Sequence, residues 1–215
     1  AVAHGSTGAG NDQVRFDMIF NIMLPGVEII TPIRDMKLSR EEEIAYLKAK
    51  GVEMNFEKAA YSINKGLWGT SVGGRVSLYL NGVWPAEAEL GFEKGELYSV
   101  NGKRFNHPSE AIEEVQKIAG PFAIGRDIHV GDTIIGIKGR VGFEAAAPMI
   151  ILKAHHALEK HVLTKWQLQW KDSLAQFYGN WLHVGHILDP VMRDIEAYFE
   201  TSQQNVTGNV FVQLM

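Results

Sequence analysis

A glycine-rich run near the start of the sequence restricts the fold of everything that follows it. Within Ala1–Asp17, the residues Gly5, Gly8 and Gly10 lie between a short apolar stretch and a segment with helical periodicity. This order predicts the end of a strand, a loop and the start of a helix. We expect the glycines to adopt positive φ angles and to leave their backbone N–H groups uncovered.

The helix after this loop is a possible anion-binding element. Its apolar face carries Val14, Met18 and Ile22, and Asn11 or Asp12 is expected to cap its first turn. Loop N–H groups and the helix dipole both favour negative charge, which suits a phosphate or a carboxylate. The spacing G-x-x-G-x-G matches neither the dinucleotide fingerprint nor a P-loop, so spacing alone leaves a plain connector turn equally open.

The polar residues after the glycines favour a ligand site. Asn11, Asp12 and Arg15 are three or four positions apart, so they share one end and one face of the helix. A carboxylate can accept from an ammonium group, a guanidinium can bind a carboxylate, and an amide can serve either. An amino acid would need these groups. The alternative is a capped helix with a local Asp12–Arg15 ion pair.

Composition excludes several classes of protein. The 215 residues are 46% hydrophobic and 21% charged, as in ordinary globular proteins. A net charge of −4 argues against a nucleic-acid or anionic-membrane partner. The absence of cysteine excludes disulfides, thiolate catalysis and cysteine-ligated zinc. No apolar run approaches the roughly 20 residues that span a bilayer, and we expect a cytoplasmic protein.

The first part of the chain is predicted to be a βαβ-like unit. The helix that begins at Asn11 should end before Pro25, and residues 27–33 should form the next strand. A capping box from Ser39 to Glu42 predicts a second helix that stops at Gly51. Residues 52–75 are rich in Ser, Gly, Asn and Thr and are interpreted as a shaped surface loop.

The second part is predicted to be α+β, with the domain boundary between residues 75 and 76. A hairpin around Asn81–Gly82 is expected first, and then a meander with turns at Lys94–Gly95 and Asn101–Gly102. Ser109 is expected to cap the next helix, and Thr164 and Asp189 are expected to precede the last two helices as their caps. The remaining expected elements are strands 89–93, 96–100, 127–130 and 133–138, helices 148–162, 165–181 and 191–201, and a closing strand 206–214.

Two blocks of sequence resemble one family. The run His4–Phe16 resembles the signature of the argininosuccinate synthases, ATP-dependent ligases that join citrulline to aspartate. A second block, Tyr61–Ser71, is similar to the next substrate segment of that family. Further similarity runs from Leu90 to Leu214 and includes Gly125–Ile128, Gly136–Lys138 and Asn205–Gly208.

The resemblance implies a fold and an activity. The fold would be a partial Rossmann-like, adenine nucleotide hydrolase-type α/β unit over residues 1–75, followed by an α+β synthetase and oligomerisation domain over residues 76–215. The reaction would use ATP, accompanied by Mg²⁺, to join citrulline to aspartate through a citrullyl-adenylate. It would release AMP and pyrophosphate as a step of arginine biosynthesis, and the enzyme would be a homotetramer.

The resemblance also assigns ligand-binding residues, but no catalytic residue and no metal ligand. ATP would be bound by Ala3, His4, Gly5, Ser6, Thr7, Gly8, Ala9, Gly10 and Asn11. Aspartate would be bound by Thr7, Asn11 and Asp12. Citrulline would be bound by Asn11, Arg15, Ser62 and Ser71.

The sequence departs from the family pattern at several points. Gly131 and Phe143 stand where many members have a Glu and a Tyr that contact citrulline, so we expect those contacts to be absent or to be supplied by Asp132 and Glu144 nearby. Ala9 stands where the family has a basic residue. The Ser-Gly-Gly-x-Asp-type pyrophosphate loop does not occur in this sequence. We therefore expect a fragment, and the alternative reading is a truncated, non-catalytic chain that keeps the amino-acid site and oligomer contacts but cannot use ATP alone.

Two other groups of residues have simpler explanations. Three histidines at 155, 156 and 161 and Glu159 lie on one predicted helix, but their spacing is not the H-E-x-x-H zinc pattern, and we expect no metal there. The tryptophans at 166, 170 and 181 have helical spacing and are expected in the core or in a subunit interface.

Overall fold

The computed structural model describes residues 1–8, 10–38, 40–52, 62–73 and 86–214. In this part of the chain, an α/β unit is followed by an α+β region, as the sequence predicts. No helix in the described ranges is both long and apolar enough to cross a membrane.

The first unit is built on one parallel strand pair. Strand β1 (Val2–Ala3) pairs with β2 (Ile29–Ile30) in parallel, and helix α1 (Asp12–Met23) connects them. This is the predicted βαβ-like connection. A parallel pair needs such a crossover, so the loop between β1 and α1 leaves the sheet at the carboxyl end of β1.

The predicted strand 27–33 is wrong over most of its length. Only Ile29 and Ile30 are in β2, because Pro32 begins a short helix, α2 (Pro32–Met36). Proline lacks the N–H that a strand ladder needs, and it suits the first turn of a helix. Helix α3 (Arg40–Ala49) follows, and Gly51 with φ +75° ends it as predicted. Ser39 of the predicted capping box lies outside the described residues.

The predicted surface loop 52–75 is wrong where it is described. Strands β3 (Ser62–Gly66) and β4 (Gly69–Gly73) form a hairpin around Leu67 and Trp68. Their polar, glycine-rich sequence has weak strand propensity, but β4 also pairs with a distant strand, and such pairing overrides local preference. Residues 53–61 and 74–85 lie outside the described ranges, so the Asn81–Gly82 hairpin and the boundary at 75 remain predictions.

A four-stranded antiparallel sheet forms the centre of the second part. Its order is β10-β5-β6-β7, with β5 (Ala86–Glu93), β6 (Glu96–Val100), β7 (Lys103–Arg104) and β10 (Gly208–Leu214). Both predicted turns are present, with positive φ at Lys94 and Gly95 and at Asn101 and Gly102. The closing strand is confirmed, because β10 pairs with β5 from Gly208 opposite Phe92 to Leu214 opposite Ala86.

A second four-stranded sheet joins the two parts of the sequence. Its order is β3-β4-β9-β8, with β8 (Arg126–Asp132) and β9 (Lys138–Glu144). The predicted strand 133–138 is wrong, because residues 133–137 form the connecting loop. Gly136 has φ +83° and donates to the Thr133 carbonyl at 2.8 Å, which closes a turn. The isoleucines of this loop imitate a strand in the sequence.

Helices α4 (Pro108–Ala119) and α5 (Ala146–Val162) cover the β10-β5-β6-β7 sheet and enclose the core. The cap prediction at Ser109 is wrong, since His107 occupies the cap position and Pro108 begins the helix. A 3-10 turn, Gly120–Phe122, follows α4. The largest fully buried apolar side chains are those of Leu90, Phe92, Val100, Val115, Met192 and Val206.

Of the last two helices, the first lies largely on the surface, whereas the second buries Met192, Ile195 and Ser202. Helix α6 (Lys165–His183) begins with the predicted Thr164 cap, which forms a capping box with Gln167. Helix α7 (Pro190–Gln203) begins behind Asp189, which accepts from the Val191 N–H at 3.0 Å. Trp166 and Trp170 are 63% and 62% exposed, so neither lies in the core, and a subunit interface remains the prediction for both.

A buried carboxylate connects the three long helices. Glu159 on α5 is fully buried, and Lys171 Nζ on α6 lies 2.9 Å from its Oε2. Gln203 on α7 donates to Glu159 Oε1 at 2.8 Å, and its own Oε1 lies 3.0 Å from His155 Nε2. A buried charge must be paired and hydrogen-bonded to be tolerated, so this polar cluster fixes how the helices meet.

We expect Lys171→Met to lower the free energy of unfolding by about 3 kcal/mol, because Glu159 loses its cationic partner while it stays buried. Urea titration with Lys160→Met as the control measures this, since Lys160 is exposed on α5. Adding Glu159→Gln to Lys171→Met should recover most of the loss. Equal stabilities of Lys171→Met and the control would contradict the role of the pair.

We also expect stability to depend on the charge of His155. Burial lowers the pKa of His155 below its usual 6.5, although the Glu159 charge opposes this. The neutral ring therefore stabilises the fold fully above pH 6.5, and this contribution is lost as the pH falls toward the lower folded pKa. His155→Gln should lose less stability than the wild type between about pH 8 and about pH 5.5. His161→Gln, exposed on the same helix, should follow the wild type.

Candidate functional site

The loop between β1 and α1 begins at a fixed point of the parallel sheet. The His4 N–H donates to the Ile30 carbonyl at 3.1 Å, which continues the β1–β2 pairing by one residue. From there the chain turns outward, and Gly5, Thr7 and Gly8 are exposed. Within the described ranges, no protein acceptor receives the N–H groups of these three residues. Ala9 lies outside the described residues.

The three loop glycines do not have the positive φ angles that the sequence predicts. None of Gly5, Gly8 and Gly10 has a positive φ, so that expectation is wrong. A Cβ added to them would meet no described atom closer than 4.0, 3.9 and 3.7 Å, which is ordinary contact. Neither backbone strain nor packing in the described part requires glycine here. What glycine provides is bare backbone that another molecule can approach closely.

The N-terminus of α1 has no side-chain cap. Asn11 occupies the cap position, but its side chain makes no capping bond, so the prediction of a cap is wrong. Its Oδ1 instead accepts from the N–H of Ile134, in the β8–β9 loop, at 2.7 Å. The Val14 N–H donates to the Asn11 carbonyl at 3.1 Å, whereas the N–H groups of Asp12 and Gln13 have no acceptor among the described residues. The tip of the second sheet is held against the glycine loop.

Arg15 joins the site to the end of α6. Its Nη1 lies 3.2 Å from Asp12 Oδ1, which is the local ion pair that the sequence left open. Its Nε and Nη2 both donate to the His183 carbonyl, at 2.9 and 2.7 Å. Asn11, Asp12 and Arg15 thus share one end of α1, as predicted. Asp12 is well exposed, and Arg15 is half-buried between the two helices.

A second polar group lies under the loop. The His4 ring is only 6% exposed, and its Nε2 lies 3.1 Å from Asp17 Oδ1. Arg34 on α2 donates to the other oxygen of Asp17. Burial raises the pKa of Asp17, but the hydrogen bonds from Arg34 and His4 outweigh it and hold the pKa below its usual range. Asp17 is therefore ionised at neutral pH.

Sequence reasoning missed several residues that shape the loop. Gln13 is buried and its amide donates to the Gly8 carbonyl. Asp17 on α1 contacts His4, and Arg34 on α2 contacts Asp17. The sequence offered one signal for Asp17. A histidine in a glycine loop needs a polar partner, and Asp17 lies on the helix that follows the loop, one turn after Gln13. Arg34 and the loop of Ile134 are distant in sequence and had no local signal.

The predicted citrulline serines lie away from this group. Ser71 on β4 is opposite Phe143 on β9, and Ser62 begins β3 opposite Gly73. Phe143 is at the end of β9 that is remote from the β8–β9 loop, about 17 Å along the strand from Lys138. The structure therefore joins the glycine loop with Asn11, Asp12 and Arg15, but it does not bring Ser71 beside Asn11.

The expected replacements at the substituted positions already have partners. Asp132 pairs with Lys138 at 2.9 Å, and Glu144 pairs with Arg126 at 3.4 Å. A Cβ at Gly131 would lie 2.6 Å from His129 Nε2, so a side chain there would displace that ring. In the described part of the chain, no three His, Asp or Glu residues are arranged to hold a metal ion.

Family models match both parts of the sequence. The model described as the arginosuccinate synthase N-terminal HUP domain matches residues 1–53, and the model of the arginosuccinate synthase C-terminal domain matches residues 80–215. The second match alone covers more than half of the chain.

Curated relatives agree with these models. The chain is 38% identical to the argininosuccinate synthase of Methanocaldococcus jannaschii over 230 aligned residues, which cover 100% of the chain and 58% of the relative. It is 37% identical to that of Dictyoglomus thermophilum, with 100% and 57% covered. It is 35% identical to that of Xanthomonas axonopodis pv. citri, with 99% and 56% covered.

The chain thus spans 56–58% of the length of these relatives. The two matching domains occur in the same order as the observed α/β and α+β regions. The run His4–Phe16, which resembles the family signature, forms the glycine loop and the uncapped start of α1. On this evidence, the chain belongs to the argininosuccinate synthase family.

Proposed function

We propose that this chain carries the amino-acid site and part of the ATP site of an argininosuccinate synthase. The observation that supports this best is the uncapped start of α1 behind a loop in which the N–H groups of Gly5, Thr7 and Gly8 have no acceptor among the described residues. Exposed backbone donors in front of a helix N-terminus are available to an anionic ligand, which the helix dipole also favours. The resemblance of the same residues to the family signature names that ligand as ATP or aspartate.

ATP would lie along the loop from Ala3 to Asn11. The exposed N–H groups of Gly5, Thr7 and Gly8 can donate to phosphate oxygens, and the α1 dipole adds favourable potential. The absence of side chains at the glycines lets the nucleotide approach the backbone. Mg²⁺ would accompany the nucleotide on its phosphates, because the described residues offer no cluster that could hold it alone.

Aspartate and citrulline would share the end of α1. Asp12 is exposed and can accept the α-ammonium of aspartate, with Thr7 and Asn11 beside it. Arg15 can bind the carboxylate of citrulline through its planar fork. It must first release the His183 carbonyl, to which it now donates twice. Ser62 and Ser71 remain candidates for citrulline that a rearrangement of the β3–β4 hairpin would have to bring closer.

The proposed reaction has two steps. The ureido oxygen of citrulline attacks the α-phosphorus of ATP, and pyrophosphate leaves with the electron pair of the broken P–O bond. The amine of aspartate then attacks the ureido carbon of the citrullyl-adenylate, loses a proton and displaces AMP. Placement of three ligands is the main requirement, so bound donors and acceptors matter more than an acid or a base.

Self-association is part of the same proposal. Trp166 and Trp170 lie one turn apart on the outer face of α6 and are largely exposed. Exposed tryptophans in register favour a subunit interface over a solvent face. The homotetramer implied by the family resemblance would cover such a surface.

The test is citrulline-dependent exchange of pyrophosphate into ATP by the protein expressed at full length. Exchange that needs citrulline but no aspartate supports the adenylate mechanism. Binding of citrulline and aspartate with no exchange and no ATP binding would instead support a chain that keeps the amino-acid site without catalysis. A protein that binds neither citrulline, nor aspartate, nor ATP would refute the proposal.

We expect Gly8→Ala to separate ligand binding from folding. Its φ is not positive and an added Cβ meets only Arg34 Cγ at 3.9 Å, so the fold should be unchanged or stabilised by about 0.4–1 kcal/mol. ATP should bind about tenfold or more weakly, because the methyl group covers the backbone that the nucleotide approaches. Isothermal titration and thermal unfolding measure the two effects.

The matched control for this experiment is Gly185→Ala. Gly185 has φ +93°, a backbone conformation that residues with a Cβ rarely adopt, so alanine there should destabilise the protein. A Gly8→Ala variant that loses stability in the same way, or that binds ATP normally, would show that the loop is only a connector.

We expect Asp12→Asn to raise the aspartate requirement selectively. Asparagine keeps the hydrogen bond to Arg15 but cannot balance the charge of an ammonium group. Citrulline-dependent exchange should stay near normal while the KM for aspartate rises about tenfold or more. Arg15→Ala is the complementary variant and should impair citrulline more than aspartate. Equal effects on both substrates would assign both residues a structural role.

A further inference from the structure

The contacts under the glycine loop form a continuous series. Arg34 donates to one oxygen of Asp17, and the other oxygen lies 3.1 Å from His4 Nε2. On the opposite side of the ring, the Ser6 N–H donates to His4 Nδ1 at 3.3 Å. The series thus runs from α2 through α1 and the end of β1 into the loop itself.

These contacts allow only one protonation state of the ring. An ionised carboxylate only accepts hydrogen bonds, so the hydrogen between His4 and Asp17 must be on Nε2. A backbone N–H only donates, so Nδ1 must carry a lone pair to accept from Ser6. Both contacts therefore need the neutral ring with its hydrogen on Nε2, and two independent neighbours agree on that tautomer.

The position of the ring makes this choice matter for the loop. His4 is almost fully buried, and its ring lies 5.3 Å from that of Phe16. It therefore cannot turn to offer the other nitrogen without disturbing the packing. Ser6 lies between Gly5 and Thr7, whose N–H groups have no acceptor in the part of the chain that the structure describes. A bond that fixes Ser6 also fixes the direction of its neighbouring peptide groups.

We propose that Asp17, held by Arg34, is a positioning residue that sets the tautomer of His4 and so holds the loop in its ligand-accepting shape. The effect on ATP rests on the function proposed above, whereas the effect on the ring and on Ser6 does not. Asp17 acts through His4 and need not touch any substrate. The same logic operates wherever a buried aspartate fixes the ring of a working histidine.

Asp17→Asn is the sharpest test, because it changes little in size. The amide of asparagine can donate to Nε2, which permits the hydrogen to move to Nδ1. With its hydrogen on Nδ1, the ring presents a donor to the Ser6 N–H, which is also a donor, so the hydrogen bond between them is lost. Glu28→Gln is the matched control, since it makes the same chemical change on an exposed side chain of the same unit.

Three measurements on the chain decide the question. Nitrogen NMR of ring-labelled histidine reports the tautomer, with the His4 signal assigned by its loss in His4→Gln. Amide hydrogen exchange reports the protection of Ser6, and ATP titration reports affinity. We expect the hydrogen on Nε2 in the wild type. In Asp17→Asn we expect a shift toward Nδ1, faster Ser6 exchange and about tenfold weaker ATP binding, and no change in Glu28→Gln.

Other outcomes overturn the proposal. If His4 carries its hydrogen on Nδ1 in the wild type, the proposal is wrong, whether or not Asp17→Asn folds. If the His4 tautomer is the same in Asp17→Asn as in the wild type, the proposal is also wrong. A changed tautomer with normal ATP affinity removes the positioning role. If the wild type binds no ATP, the function proposed above fails. The His4 tautomer and the Ser6 amide exchange alone then decide whether Asp17 positions the His4 ring and Ser6.

Discussion

The hydrogen bond from the Ile134 N–H to the Asn11 side chain is the contact on which the arrangement of the site depends. It takes the residue that would ordinarily cap α1 and uses it to hold the loop of a sheet more than a hundred positions away. The N–H groups of Asp12 and Gln13 thereby have no side-chain cap and are open to an outside acceptor. The same bond ties the β3-β4-β9-β8 sheet to the α/β unit, so one side chain sets both the chemistry and the placement of the site.

A second polar constraint holds the helices of the α+β region together. Glu159 is buried with Lys171 and Gln203, which come from α6 and α7. Burying such a pair contributes little net stability compared with apolar packing, but removing one member costs a great deal. Because these groups come from α5, α6 and α7, their pairing favours the arrangement of the three helices that brings them within hydrogen-bonding distance.

Elements with local signals could be predicted from the sequence. The turns at Lys94–Gly95 and Asn101–Gly102 need positive φ, and the caps at Thr164 and Asp189 act on their own helices, so each was identified from a few neighbouring residues. The hairpin β3–β4 was missed because its strands depend on β9 for pairing. The isoleucines of residues 133–137 were misread because apolar residues in a turn look like those of a strand.

The site divides in the same way. The grouping of Asn11, Asp12 and Arg15 follows from helical spacing and was predictable, whereas the partners Ile134, His183 and Arg34 arrive through tertiary folding. The glycines were identified correctly as a loop, but for the wrong reason. Their φ angles are ordinary, and what distinguishes them is the space that they leave for another molecule.

The two bonds from Arg15 to the His183 carbonyl have a thermodynamic consequence. A ligand that recruits this guanidinium must first detach it from the end of α6, and its observed affinity is reduced by the free energy of that contact. Linkage works in both directions, so a change that loosens the end of α6 would tighten such a ligand, and the bound ligand would in turn free α6. The last turn of that helix thus acts as an internal competitor for the arginine.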